Sequence, residues 1–424
     1  MTEEEHLKIF FNKSILFHDN KEEIFLEGSS SPEAKSRFAL IISALKNGFL
    51  QEEIDRCKTT EFDIGDLKNE YLTDLQNLVA SITSEVGRAV VGLTILQLSI
   101  KCVCPEQSIR LHKTSWREGI AMRSLDASYN TPILRKNGLI SINRYGVFMT
   151  RTLAENYPYT KFYKAPIKGA KQSWINIVEA LEKGNLNPRS SLRFILVALI
   201  RETDSFQKLS EETIAACESY INTETTSNKK EQIQLFISLS SYSARLLEIA
   251  MHSLMQVLED ELVLPGDVKQ LSQMRSANKK HGNIADIEIT SGFSDLQIIE
   301  AYDAKYGKPY LRDELEELAD KLQEHPETKI AGFITEGIPD LRADVIARKN
   351  EIEELYGLQI KIQSFSDWIE EQLHRTDILE GELVDKWIRA FTETLCQRRR
   401  HRAPIDEPVN SWVGELKIFF EMRL

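Results

Sequence analysis

Three residues in the C-terminal half of the chain have the types and the spacing of a hydrolytic metal centre. Asp286 lies in one short apolar run, and Asp303 and Lys305 lie at the end of the next. Successive side chains of a strand alternate between its two faces, so Asp303 and Lys305 project from the same face. A hairpin formed by the two runs brings Asp286 beside Asp303, where two carboxylates and an ammonium group converge.

This set of groups predicts a site for a divalent cation. Mg²⁺ prefers hard oxygen ligands and keeps several waters, so two carboxylates hold it and leave room for a substrate phosphate. We expect Asp286 and Asp303 to be ligands, with the carbonyl of Ala304 as a third. Lys305 is expected to position the attacking water or to stabilise the charge that develops on the phosphate.

Other acids leave the make-up of this site open. Glu288 and Glu300 lie on the same two runs, but Glu300 points to the opposite face of a regular strand. Glu248 lies on the preceding helix and reaches the site from behind. Asp267 follows a Pro-Gly pair and is the alternative first acid; it lies outside any strand-like run, so we prefer Asp286. The competing interpretation is that Asp-x-Lys is a chance arrangement of surface charges.

The elements predicted around these residues form an α/β scaffold. The chain from 231 to 363 reads helix (231–262), two strands, helix (311–323), strand (329–335), helix (339–356) and strand (358–363). A strand–helix–strand order implies a partly parallel sheet. We therefore predict an α/β fold (α+β overall), in which residues 231–424 form a mixed-sheet domain flanked by helices. A mainly helical domain at 1–222 precedes it, with a polar linker at 222–230. Residues 1–30 fit short strands or a helix.

Residues 105–175 differ in charge from the rest of the chain. They hold twelve Lys or Arg against four acids, a net charge of +8, which leaves −20 for the other residues. Aromatic residues are interleaved with the cations. Phosphate contacts by Arg and Lys provide DNA affinity, and their contacts to base edges provide sequence recognition. This segment is our predicted DNA-binding region, with these contributors: Arg110, Lys113, Arg117, Arg135, Lys136, Arg144 and Arg151. The alternative is a solvated charged surface over an aromatic core.

Composition narrows the remaining function classes. The 424 residues carry 42% hydrophobic residues and a net charge of −12, which is ordinary for a globular protein of two or three domains. Five cysteines without a Cys-x-x-Cys pair favour a reduced, cytoplasmic location. The apolar runs are too mixed for a membrane span, and no signal peptide is expected at the start. No nucleotide-binding glycine motif is present.

The spacing of Asp286 and the triplet Asp303-Ala304-Lys305, within this order of elements, resembles the PD-(D/E)XK nuclease superfamily. The resemblance covers about residues 231–370, and Ala285 stands where the motif has its proline. It implies a Mg²⁺-dependent nuclease in which Asp286 and Asp303 are metal ligands and Lys305 is catalytic. Together with a basic-aromatic N-terminal region, the arrangement is similar to Type II restriction endonucleases, most nearly to SacI-like enzymes.

Three hypotheses follow. The first is a Type II restriction endonuclease that hydrolyses phosphodiester bonds at specific sites in double-stranded DNA, and that acts as a homodimer because two strands must be cut. The second is another repair or structure-specific nuclease of the same superfamily. The third is a non-catalytic DNA-binding protein in which the three residues are surface charges.

Overall fold

The computed structural model describes residues 5–18, 21–59, 67–271, 283–291, 294–398 and 407–423. The chain divides into two compact units, Met1–Phe206 and Gln207–Leu424. The division falls inside a helix and not at the polar stretch 222–230. The predicted mixed α/β class is confirmed, because both units contain helices and strands, and the second contains a five-stranded mixed sheet.

Unit 1 begins with a three-stranded antiparallel sheet. Strands β1 (His6–Ile9), β2 (Lys13–His18) and β3 (Lys21–Leu26) lie in this order, with β2 in the centre. Alternate residues of β2 and β3 point inward, and Leu16 and Phe25 pack there against Leu111 and Trp116. Among the first 30 residues, those that the structure describes form strands and contain no helix.

Helices make up most of the regular structure in the rest of unit 1. They are α1 (Pro32–Lys46), α2 (Phe49–Thr59), α3 (Asn69–Ala80), α4 (Glu85–Val103), α5 (Met122–Leu125), α6 (Thr131–Lys136) and α7 (Lys171–Glu182). Helix α4 is apolar on all sides and lies in the middle of the main core of the unit. In the described part of the chain, it is the one helix whose length and composition would suffice to cross a membrane, and it is largely buried in protein.

The basic-aromatic segment has little regular structure, and its aromatic rings hold it together. Tyr159 stacks on His112 and meets Tyr163 and Trp174 edge to face. The three aromatic rings belong to the same core as α4. Aromatic pairs in this geometry stabilise beyond their buried area, so the cations of the segment lie on a firmly packed base.

The helices that lead into unit 2 differ from the prediction in two places. Helix α8 (Pro188–Thr223) and helix α9 (Thr226–Leu239) are separated by two residues, so the predicted linker at 222–230 is mostly helical. The predicted helix at 231–262 is interrupted between α9 and α10 (Ser243–Asp260). The hydroxyl of Ser240 donates to Phe236 O, and Tyr242 is left-handed, which ends one helix and starts the next.

Unit 2 is built on a sheet in the order β4-β5-β6-β7-β8. The strands are β4 (Asp267–Val268), β5 (Ile287–Ser291), β6 (Ser294–Lys305), β7 (Ile330–Thr335) and β8 (Gln359–Ser364). The first three are antiparallel neighbours, whereas β6, β7 and β8 run parallel. The helices are α11 (Arg312–Leu322), α12 (Ala343–Tyr356), α13 (Phe365–Leu373), α14 (Glu380–Glu393) and α15 (Val409–Glu421). The predicted partly parallel sheet is confirmed, and β4 is an additional strand.

Helices cover both faces of this sheet. On one face, Ala301 and Phe333 pack against Leu315 and Leu318 of α11 in a core that also includes α12. On the other face, Tyr302 of β6 meets Trp368 of α13 edge to face, and α10 packs across β5 and β6. Asp303 and Lys305 alternate with Tyr302 along β6, so they share the face of Ala301, toward α11.

All five cysteines are free thiols. Cys57, Cys104, Cys217 and Cys396 are buried, and Cys102 is half-buried. Burial raises the pKa of Cys57 and Cys102 to about 11, and the pKa of Cys217 and Cys396 to about 12. Their surroundings are those of core residues and not of reactive thiols.

Candidate active site

Asp286, Asp303 and Lys305 meet at one end of the β5–β6 hairpin. Ile287 of β5 pairs with Tyr302 of β6, so the residue before β5 lies next to the residue after Tyr302. Asp286 Oδ2 accepts a hydrogen bond of 3.2 Å from the Ala304 amide, and its carboxylate also bonds to the Asp303 carboxyl. The Lys305 ammonium lies 2.8 Å from Asp303 Oδ2. The structure thus brings together the three residues that the sequence singled out.

The local sequence explains why this end of the hairpin is well defined. Ile287 and Ile289 are fully buried, and they anchor β5 in the sheet. On its other side, β6 pairs in parallel with β7, with Asp303 opposite Phe333 and Lys305 opposite Thr335. A one-residue slip would turn Asp303 to the face of α13, which the buried positions on both strands prevent.

The two carboxyl groups share a proton in the absence of a cation. Burial and then the neighbouring Asp286 raise the pKa of Asp303 to about 8. Burial and the charge of Glu248 raise the pKa of Asp286, which the hydrogen bond from Asp303 partly offsets. Two acids held this close cannot both ionise without a compensating charge, and a divalent cation provides that charge.

Glu314 is a member of this cluster that the sequence did not indicate. Its Oε2 lies 2.6 Å from Lys305 Nζ, and its Oε1 lies 2.8 Å from Lys308 Nζ. Burial alone lowers the pKa of Lys305, but Asp303 and Glu314 outweigh it and raise the pKa. In the sequence, Glu314 stands out only as an acid in the first turn of α11. Acids are common at that position because they stabilise the helix dipole, so the position alone does not indicate an active-site role.

The structure separates the other acids near the site. Glu288 accepts from the amides of Ile284 and Ala285 and pairs with Lys269, so it orders the loop before β5. Glu300 pairs with Arg375 on the opposite face of β6, as its place in the strand predicts. Glu300 therefore points away from Asp303, whereas Glu288, opposite Ala301, shares the face of Asp303 but is already bound by Lys269 and the two amides.

Glu248 and Asp267 differ in their relation to the site. Glu248, on α10, acts on the charge of Asp286 and pairs with Arg245. Asp267 pairs with Thr290 at the far end of β5. Thr290 is four residues from Asp286, about 13 Å along a strand, so the geometry favours Asp286 over Asp267 as the first acid.

The cluster suits a cation with few protein ligands. Among the residues that the structure describes, no group of three or more His, Cys, Asp or Glu side chains is arranged to hold a metal. Mg²⁺ is commonly held by one or two carboxylates and completes its shell with water and substrate oxygens. The amide of Ala304 donates to Asp286, toward β5. The N–H and C=O groups of one strand residue point to the same neighbouring strand, so the carbonyl of Ala304 also points toward Asp286. Asp286, Asp303 and the Ala304 carbonyl therefore fit Mg²⁺.

The predicted DNA-binding residues differ in their exposure. Lys113 and Arg135 are half-buried, and the Arg135 guanidinium donates to Ile142 O. The exposed members are Arg117, Lys136, Arg144 and Arg151. The guanidinium of Arg144 lies over the ring of Tyr145, with 4.6 Å between them, and both side chains are exposed. Four of the seven are therefore free to reach a phosphate, and two reach solvent in part.

Arg110 does not fit the predicted role of a DNA contact. Its side chain is 1% exposed and makes a bidentate ion pair with Glu179, at 2.7 and 2.8 Å. It also donates to Tyr159 O at 2.9 Å and lies 3.6 Å from Glu23. Charge patterning detected the cation but not its acidic partners, which are far away in sequence. Arg110 therefore orders the segment and is removed from the proposed DNA surface.

Comparison with known proteins adds no identity. No protein-family model matches the chain, and no curated protein matches it significantly.

Proposed function

We propose that the chain is a Mg²⁺-dependent endodeoxyribonuclease of the Type II restriction kind, with a PD-(D/E)XK nuclease core formed by α10 to β8. The observation that carries the proposal is the cluster of Asp286, Asp303 and Lys305 at one end of the β5–β6 hairpin. The order of elements around it supports the proposal. A helix and three antiparallel strands precede a helix and a fourth strand that returns parallel to the third, as in that superfamily.

Each residue of the cluster has a role in this reaction. A bound Mg²⁺ would lower the pKa of a water ligand and offset the charge on the phosphate. Asp286, Asp303 and the Ala304 carbonyl would hold the cation, and the two acids would give up the shared proton to solvent when it binds. The ammonium of Lys305, which lies beside Asp303 and Glu314, would position the attacking water or stabilise the charge on the phosphate oxygens. Glu314 holds Lys305 in its charged form and fixes its position.

The partners of the proposed enzyme are double-stranded DNA and a second copy of the chain, and its location is the cytoplasm. Exposed cations of the basic-aromatic segment, such as Arg117, Arg144 and Arg151, supply contacts to the phosphates of double-stranded DNA. Cutting both strands of a palindromic site requires two active sites, so the enzyme acts as a homodimer. The free thiols agree with a reduced cytoplasmic location.

Plasmid cleavage tests the proposal. The wild type is incubated with supercoiled plasmid and Mg²⁺ or Mn²⁺, alongside Asp303→Asn, Lys305→Ala and the control Asp267→Asn. We expect discrete fragments from the wild type and from the control. The two active-site variants should lose at least about a hundredfold in rate, because each removes an interaction with developing charge or with the metal.

The outcomes distinguish the hypotheses. Degradation without discrete fragments, still dependent on Asp303, indicates a different nuclease of the same superfamily. Cleavage by Asp303→Asn at the wild-type rate shows that the site is wrongly assigned. If the wild type binds DNA but does not cleave it under any of these metal conditions, the hypothesis of a non-catalytic DNA-binding protein is supported.

A further inference from the structure

The turn between β1 and β2 presents two aromatic side chains to solvent. Phe10 and Phe11 form its tip, which is closed by a hydrogen bond of 2.8 Å from the Phe10 amide to Lys13 O. Phe11 is 99% exposed and Phe10 is 46% exposed. Leu16 and Phe25 on the inner face of the same sheet are buried, so the apolar core of this hairpin is complete without the tip.

Asn12 is a residue that turn geometry favours, whereas Phe10 and Phe11 are not. Short hairpin turns favour Asn, Asp and Gly, which satisfy the backbone at little cost. Two consecutive phenylalanines add no such benefit, and they leave a large apolar surface in water.

The charges near the tip identify the kind of partner. Lys13 lies 5.4 Å from the centre of the Phe10 ring. The Glu27 amide donates to Asn12 O in the turn, and the Arg117 amide donates to Leu26 O, so exposed Arg117 lies at the same end of β3 as the tip. Two acids lie at this end: the carboxylate of Glu27 accepts a hydrogen bond from Asn156, and Glu118, beside Arg117, pairs with Arg37 at 2.7 Å.

The acids of β3 lie away from the tip. Glu22 pairs with Phe17 and Glu23 pairs with Leu16, toward the opposite end of the sheet. Cations beside exposed aromatic rings are the combination that binds nucleic acid, because the cations contact phosphates while the rings stack on bases.

We infer that the Phe10–Phe11 tip is a wedge that stacks on bases of duplex DNA, with Lys13 and Arg117 on the adjacent phosphates. The inference rests on the proposed DNA-binding function and extends it to a named contact in unit 1. Apolar side chains inserted at a base step unstack it and bend the duplex, and they do so with little dependence on sequence.

Binding of the full-length chain to a duplex of about 30 base pairs and mixed sequence tests this inference, since that length exceeds the footprint of a typical specific interface. The duplex carries 2-aminopurine in place of several adenines, and EDTA prevents cleavage. We expect wild-type binding to increase 2-aminopurine fluorescence, because an unstacked base is less quenched. Phe11→Ala should bind about tenfold more weakly and remove the increase. The control Leu40→Ala, which removes an exposed apolar side chain from α1 of the same unit, should behave as wild type.

Three results would overturn the inference, each in a different way. Equal affinity and equal fluorescence for Phe11→Ala and wild type would reject the wedge and leave DNA binding intact. A wild type that does not bind the duplex would reject the proposed DNA binding together with the wedge. Sedimentation could also show that the wild type is dimeric and that Phe11→Ala is monomeric but binds DNA normally. That result would assign the tip to self-association.

Discussion

The carboxyl groups of Asp286 and Asp303 form a hydrogen bond with each other when no cation is bound. The pKa of Asp303 is raised to about 8, first by burial and then by Asp286, so the metal-free site is protonated at neutral pH. A cation must displace this proton before it can occupy the site. Protons and Mg²⁺ therefore compete for the same pair of side chains.

This competition predicts how Mg²⁺ binding depends on pH. Asp303 holds its proton below a pKa of about 8, so the apparent affinity for Mg²⁺ should fall about tenfold for each pH unit below that value. Isothermal titration with Mg²⁺ from about pH 6 to about pH 9 brackets this pKa, and proton uptake by the buffer should accompany binding. The variant Asp303→Asn should bind weakly and without proton release. An affinity for Mg²⁺ that does not change over this range would contradict the prediction.

The sequence predicted the three principal members of this cluster better than it predicted their partners. Strand alternation alone put Asp303 and Lys305 on one face, and a hairpin brought Asp286 beside them, as the structure has it. Glu314 was missed because its position beside Lys305 depends on the loop between β6 and α11, which has no periodicity to read. Arg110 was misassigned because composition does not reveal whether a cation is already paired.

The central strand β6 and its neighbour β7 position Asp303 and Lys305, and a glycine determines how closely these two strands approach. Gly332 of β7 lies opposite Tyr302 of β6, next to Asp303. A Cβ atom at Gly332 would lie 2.6 Å from Cδ1 of the Tyr302 ring. This ring is itself fixed, because its hydroxyl donates to Glu300 and its edge meets Trp368.

The change Gly332→Ala should therefore destabilise the sheet. We expect a decrease of about 1–3 kcal/mol in the free energy of unfolding, the usual cost of overpacking a core, and a lower rate of cleavage because Tyr302 adjoins Asp303. Urea denaturation measures the first effect. Gly337→Ala is the matched control, since no heavy atom lies within 4 Å of its Cβ position. Equal unfolding free energies for the two variants would show that β6 and β7 separate without cost.

Elements with strong periodicity were predicted well, and their interruptions were not. The strands at β5 to β8 and the helices between them follow from apolar alternation and helical spacing. The break between α9 and α10 depends on hydrogen bonds of Ser240 and on a left-handed Tyr242, which the apolar pattern does not signal. The two-residue β4 is too short to have a pattern at all, and it exists because β5 provides an edge to pair with.

The whole chain is acidic, so the affinity for DNA that we propose must come from a local surface. The net charge of −12 repels a polyanion at long range, whereas the segment at 105–175 carries +8. Salt screens the long-range repulsion and the local attraction alike. Once phosphates are bound, however, the release of counterions from DNA dominates the salt dependence of the affinity. DNA binding by this chain is therefore expected to weaken steeply with salt.

Paired substitutions test which cations bind those phosphates. The double variant Arg144→Gln/Arg151→Gln should reduce the slope of log affinity against log salt by about 0.9 for each phosphate that is no longer neutralised. Both side chains are exposed, so stability should change little. Lys35→Gln/Lys46→Gln, which removes two exposed charges of α1, is the control and should leave the slope unchanged. Equal slopes for the two double variants would show that Arg144 and Arg151 do not bind phosphate.

The buried thiols have a practical consequence for labelling chemistry. A thiol with a pKa of about 11 is thiolate in only about one molecule in ten thousand at pH 7, and maleimides react with the thiolate. The native cysteines would therefore react very slowly with such reagents in the folded chain. A single cysteine introduced at an exposed position such as Phe11 would take up a fluorophore selectively, with the five native thiols left in place.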